Sequence, residues 1–262
     1  MAQLIGFPLA VPLDVEMQQP GEGEITAARR LLDRLVKNYG RFFDAVGGDA
    51  LYLEGPFFNL CQSHGKHVIA VLKANTPALL ADAQDAFARR KALVRQEEGQ
   101  TIYYWDEEGF TSAQSIEAPL RVLHTVETSE QNKILGGNTE SQTQIQEWWW
   151  ATTIPQSLIP SRQLRQIGHQ RWHIENRLFH SLTTHWGLDH CYRHDPTAII
   201  NFVLTFMIAF IVLQAFFLRN LKPHARAHLS LIELSRLLLT GLRQTFRWPK
   251  KSQVQTSTHP PP

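Results

Sequence analysis

Apolar positions recur along the chain with changing period, and the changes divide it into predicted elements. Ile5, Phe7, Leu9, Val11 and Leu13 alternate with small or breaking residues, which predicts a strand over Leu4 to Val15. After the turn Pro20 to Glu24, Ile25, Ala28, Leu31, Leu32 and Leu35 recur at helical spacing. Glu22 and Glu24 precede them and Arg34 and Lys37 close the run, a charge order that suits the helix dipole, so a helix to about Asn38 is expected. Phe42 to Ala50 and His67 to Leu72 read as short buried strands, and Pro56 to Ser63 as a helix. Thr76 to Arg90 reads as a helix with Thr76 as its N-cap and Pro77 at the first position. Strand and helix thus alternate through residues 1–90, which argues for an α/β layer with parallel strand pairs.

The pattern changes near Lys91. Thr101 to Trp105, Leu120 to Val126 and Trp148 to Thr153 read as strands of a small antiparallel β insertion, separated by turns rich in Gly, Asp, Glu, Ser and Asn. Past the Ile154-Pro155 break, helical spacing returns from Ser161 to about His185 and dominates Pro196 to Arg247. The expected organisation is an α/β core over 1–90, a β-rich insertion over 91–153, a helical completion over 154–221, a basic helical region over 222–249 and a polar tail over 250–262, the last expected to be disordered.

Composition bounds the class. A chain of 262 residues with 43% hydrophobic content can bury a core, which excludes disorder for most of its length. The net charge of +2 does not by itself point to a nucleic acid. The cations are unevenly placed, however: Arg219, Lys222, Arg226, Arg236, Arg243, Arg247, Lys250 and Lys251 face only Glu233. Such an end suits either a polyanion or a solubilising role. Two unpaired cysteines, Cys61 and Cys191, and an N-terminus without a secretory signal imply a reducing cytoplasm. Residues 198–218 carry no formal charge and are long enough to span a bilayer, but Asn201, Thr205 and Gln214 interrupt them. A buried core helix is expected there, with membrane anchoring as the alternative.

Three groups of residues can carry chemistry. Arg171 and Glu175 stand four apart, so on a helix they share a face with Leu178, Phe179 and Leu182. A carboxylate on a mostly apolar face needs a partner, and both a structural ion pair and a metal ligand meet that need. A metal site requires a second carboxylate. Asp49 is the candidate, at the C-terminal end of a strand, where open α/β sheets place ligands; Gly47 and Gly48 before it would admit a close approach, and an ordinary turn aspartate is the rival reading. His185, His190, Cys191 and His194 include zinc-binding types, but no paired Cys-x-x-Cys supports them. There is no Gly-x-Gly-x-x-Gly, no P-loop lysine and no Gly-x-Ser-x-Gly elbow, which argues against nucleotide-dependent and serine-hydrolase chemistry.

Taken in order, Pro20 to Glu24, Gly48 to Tyr52 followed by Gly55 to Phe57, Val68 to Asn75, Trp150 to Thr152, Arg171-Trp172-x-Ile174-Glu175-Asn176, Trp186 to His190 and Tyr192 to His194 resemble the insertion-sequence transposases of the DDE type. The resemblance is to the subgroup with a β-strand insertion in an RNase H-like catalytic domain. It implies an α/β fold, here a truncated RNase H-like core with a β-rich insertion and a helical C-terminal part. It also implies DNA as partner, a homodimer in the synaptic complex, and phosphoryl transfer by two Mg²⁺ ions held by three carboxylates.

Carried over by position, Asp49 is the second acidic ligand and Glu175 the third. Arg171, with Trp172 and Asn176 in the same motif, is expected to contact DNA, a guanidinium being suited to phosphate. Two positions depart from the family: a tyrosine three residues before the arginine and a lysine seven after the glutamate are here Gly168 and Leu182. A larger departure is the first aspartate, which the family carries on a central strand before the segment resembling Ile5 to Val15. Asp14 stands in the wrong context to be that residue. The expectation is a truncated copy with two of three ligands and an unpaired sheet edge. A DNA-binding remnant without catalysis is the alternative.

Overall fold

The computed structural model describes residues 1–6, 9–97, 99–135, 138–172, 174–188, 190 and 194–245; for 131–135, 138–142, 176 and 177 it describes the backbone alone. The chain forms two compact units, Met1–Thr205 and Phe206–Pro262.

The first unit is built on a mixed sheet. Strand β1 (Ala2–Leu4) pairs antiparallel with β2 (Val11–Asp14), and these two form a sheet of their own. One strand was expected over Leu4 to Val15, whereas Gly6 turns the chain back at φ 93°, a backbone state other residues avoid. Phe7 and Pro8 of that run lie outside the described residues. Helix α1 (Glu24–Tyr39) holds the hairpin's end by ion pairs: Arg34 reaches Asp14 at 2.5 Å and Glu16 at 2.7 Å, and Arg30 reaches Glu16 at 3.0 Å.

Strands β3 (Ala45–Gly48) and β4 (His67–Val71) run parallel, linked through helix α2 (Gly55–Ser63) as the alternating pattern required. Helix α3 (Pro77–Ala88) follows, although the Thr76 side chain makes no capping bond. The remaining strands are β5 (Leu93–Glu97), β6 (Gln100–Phe110), β7 (Leu120–Leu135) and β8 (Asn138–Thr152), all antiparallel to their neighbours. They continue the core sheet, because β8 pairs with β4 through Val71 to Trp150 and Ile69 to Thr152, giving the order β3-β4-β8-β7-β6-β5.

Strand β4 explains the uninterrupted apolar run His67 to Leu72. Val68, Ala70 and Leu72 point into a core with Leu32, Phe58 and Leu79, while Ile69 and Val71 point into a second core with Leu123, Trp150 and Leu164. A strand covered on both faces has no solvent side to make polar. Helices therefore lie on both faces, α1 to α3 on one and α4 (Ser161–Gln170) on the other.

The expected continuous helix from Ser161 to His185 is interrupted. After α4 come a turn at Arg171, a π-helical segment Ile174–Phe179 and α5 (His180–Trp186), which stops at Gly187 with φ 67°. Helix α6 (Pro196–Asn220) runs from the first unit into the second, followed by α7 (Pro223–His228) and α8 (Leu231–Thr245). Ser230 and Glu233 form a reciprocal capping box at the start of α8, so the one carboxylate of this basic region is engaged in a cap. The burial expected of 198–218 holds only for Met207, Phe210 and Gln214; Ile208, Val212 and Phe216 are exposed.

Candidate functional site

Asp49 stands where β3 ends and a single 3-10 turn, Ala50–Tyr52, begins. Its Oδ1 accepts the Leu51 N–H at 2.9 Å, the bond that turns a chain out of a strand. Asn75, beyond the end of the neighbouring β4, donates to the Ala50 carbonyl at 2.6 Å and fixes the same turn. Gly48 makes the turn possible: a Cβ there would lie 2.7 Å from Tyr52 Cβ. The close approach that Gly47 and Gly48 promised is thus made at Gly48 by the chain's own Tyr52. That tyrosine donates to Glu24 Oε1 at 2.7 Å, and burial together with Glu24 raises its hydroxyl pKa.

Glu175 lies in the π-helical segment, with Arg171 Nη1 donating to its Oε1 at 2.7 Å. The structural pair foreseen from the spacing is therefore present. Arg171 is the more deeply placed partner, its side chain 12% exposed against 46% for Glu175. Its guanidinium carbon lies 4.4 Å from the Trp172 ring centroid, a cation-π distance, and its Nε is buried without a hydrogen-bond partner. Trp172 is partly exposed and meets Trp148 edge-on at 6.3 Å. The Asn176 side chain lies outside the described residues.

The two segments meet at one groove. Gly47, two residues before Asp49, and Ile174, adjacent to Glu175, both line a cavity of about 450 Å³ beside β3. The carboxylates themselves do not form a metal centre. Among the described residues no group of three or more His, Cys, Asp or Glu side chains is placed to hold a metal ion. Asp49 is engaged in its turn and Glu175 by Arg171, so the donor set falls short of the three carboxylates that the resemblance implies. The histidine group seen in the sequence is likewise not assembled among these residues; His185 packs edge-on to His180 and Trp186, and Cys191 lies outside them.

Both departures from the family motif have packing reasons. Gly168 sits so close to Trp150 that a Cβ would lie 2.5 Å from its ring, which leaves no room for a tyrosine. Leu182 is fully buried, where a lysine would lose its hydration.

One ionic cluster escaped the reading of the sequence. Glu127, buried on β7, accepts Arg165 Nε at 2.8 Å and lies 2.7 Å from His169 Nε2. Burial opposes its ionisation, yet the bonds from Arg165 and His169 prevail and hold the carboxyl at about 2, against an ordinary 4.5. The available signal was a carboxylate two and four residues beyond Thr125 and Leu123, on the same buried strand face.

No curated protein matches the chain significantly. A family model described as the transposase DDE domain matches residues 6–212, which take in the sheet, α4 and the Arg171–Glu175 segment. With that match covering most of its length, the chain belongs to the transposase DDE domain family.

Proposed function

We propose that this chain acts in DNA transposition as a DNA-engaging member of its family, and that its own residues do not complete the centre for metal-dependent strand transfer. The observation that carries the reading is the joint placement of Gly47–Asp49 and Ile174–Glu175 at one groove, within a DDE transposase match. Asp49 and Glu175 take the places of the second and third ligands for Mg²⁺, an ion that in this chemistry activates the attacking oxygen and stabilises the leaving one. Arg171 contacts a phosphate of the transposon end. Glu175 holds its guanidinium from one side and Trp172 lies beneath it, so the fork meets DNA already oriented. Trp172 and Asn176 flank that contact. The protein works in the cytoplasm, as a homodimer when it joins two transposon ends.

Purified protein mixed with a labelled duplex carrying the element's terminal repeat tests this. Binding is expected to weaken steeply with salt and to persist in EDTA, and Arg171→Ala is expected to lower the salt slope by about one. Neither nicking nor joining is expected in Mg²⁺ or Mn²⁺. Strand transfer that disappears on Asp49→Ala or Glu175→Ala would overturn the inactive half of the proposal. Absence of salt-dependent binding would overturn the other half.

One observation favours a second reading. Helix α6 is long and apolar enough to cross a membrane, and only 17% of its most apolar window is buried. Partition of the protein into detergent would support anchoring through 198–218, and a monodisperse aqueous protein would exclude it.

A further inference from the structure

The edge of β3 that faces away from β4 has no strand beside it among the described residues. His67 N–H donates to the Asp44 carbonyl at 2.9 Å, which sets the alternation of the ladder. Val46 and Gly48 then direct their backbone groups to β4, and the amides and carbonyls of Ala45 and Gly47 face the open side. Across the groove lies β1, whose one strand partner is β2. Residues of both strands line the cavity of about 450 Å³, so two incomplete sheet edges face a common space.

The walls of that space are apolar on both faces of the sheet. Leu31, Leu32 and Leu35 of α1 close it on one side, and Ile167 and Ile174 on the other. Two lining residues also carry buried polar atoms without a partner, the Gln3 Oε1 acceptor and the Arg171 Nε donor. A buried polar atom without a partner costs about 1–3 kcal/mol, so each calls for one. One of each kind, beside open backbone edges, is the complement of a peptide backbone, which brings a carbonyl and an N–H at every residue.

We propose that the groove is a strand acceptor: an extended, apolar segment of a second polypeptide inserts between β1 and β3 and joins the two sheets. Its backbone pairs with Ala45 and Gly47 of β3, one carbonyl takes the Arg171 Nε–H and one N–H donates to Gln3 Oε1. The walls specify its side chains. With helices over both faces, consecutive positions must be apolar, and β-branched residues fit an extended chain best. An alternating apolar and polar strand would bury its polar half against α1 or α4.

Hydrogen exchange on the whole protein, without DNA or metal, tests the proposal separately from any role in transposition. The probe is a synthetic peptide of about five consecutive valines and isoleucines between paired lysines, a length typical of strands. The control replaces every second apolar residue by serine. The apolar peptide is expected to slow exchange of the Ala45 and Gly47 amides at least tenfold, and the control to leave them unchanged. Gly47→Pro, which removes an edge amide, should abolish protection of Ala45. Gly47→Ala should keep it, since its Cβ makes only an ordinary contact with Ile69 at 3.7 Å. If the proline variant does not fold, the two peptides on the wild-type chain decide.

Unchanged exchange at saturating peptide would overturn the proposal. So would protection in the protein alone: if it grows with protein concentration the occupant is a second copy, and if it does not, the chain covers its own edge.

Discussion

Gly168→Ala should destabilise the first unit even though it removes a glycine from a helix. The added Cβ would lie 2.5 Å from Trp150 Cε2 and Nε1 and 3.0 Å from Cδ1. Trp150 is 1% exposed and wedged between Trp148 and His169, so the ring has nowhere to swing. Overpacking of this kind costs about 1–3 kcal/mol, and the better helix propensity of alanine returns about 1 kcal/mol. The net loss is about 1–2 kcal/mol. Urea unfolding followed by tryptophan fluorescence should show the midpoint falling by about 0.5–1 M, for an m-value of roughly 2 kcal/mol/M. In a Trp150→Phe background the same substitution should cost less, by at least about 0.5 kcal/mol, because the five-membered ring it meets is gone. An alanine variant as stable as the wild type, or an equal cost in both backgrounds, would refute the reasoning. The packing account of the missing family tyrosine would fall with it.

Glu127 makes the fold acid-sensitive. Its folded pKa of about 2 lies below the ordinary 4.5, so its contribution is complete above about pH 4.5 and lost as pH falls toward 2. At 1.36 kcal/mol per unit that shift corresponds to about 3 kcal/mol. Thermal unfolding across this window should show the wild type losing its advantage over Glu127→Gln, and parallel curves would contradict the assignment. Burial pushes the Cys61 thiol up to about 12, so an aromatic disulfide reagent should modify Cys61 only after denaturant is added. Peptide mapping that finds Cys61 labelled in the native protein would count against its buried setting.

Much of the first unit was legible in the chain. The helix of Ile25 to Asn38, the strand of His67 to Leu72 and the helix of Pro56 to Ser63 appear within a residue or two of their expected limits. Local physics sufficed there, because a 3.6-residue stripe or a short apolar run has one compact solution. The hairpin at Ala2 to Asp14 was misread as one strand, since alternation continues on both sides of Gly6 and only its positive φ reverses the chain. The π-helical turn before α5 was also invisible. Residue spacing predicts which face a helix shows, and does not register one extra residue in a turn. Glu127 was overlooked because its partners Arg165 and His169 come from another element.

By itself the sequence determined the α/β class, the parallel pair at the centre, the Arg171–Glu175 pairing and the motifs that resemble DDE transposases. Each rests on neighbours within one element or on the order of motifs along the chain. The tertiary structure alone decided that the later strands extend the core sheet, that Gly168 and Leu182 answer to packing, and that Gly47 and Ile174 border one groove beside an open strand edge. Such facts depend on which distant segments share a volume, and side-chain periodicity carries no record of that.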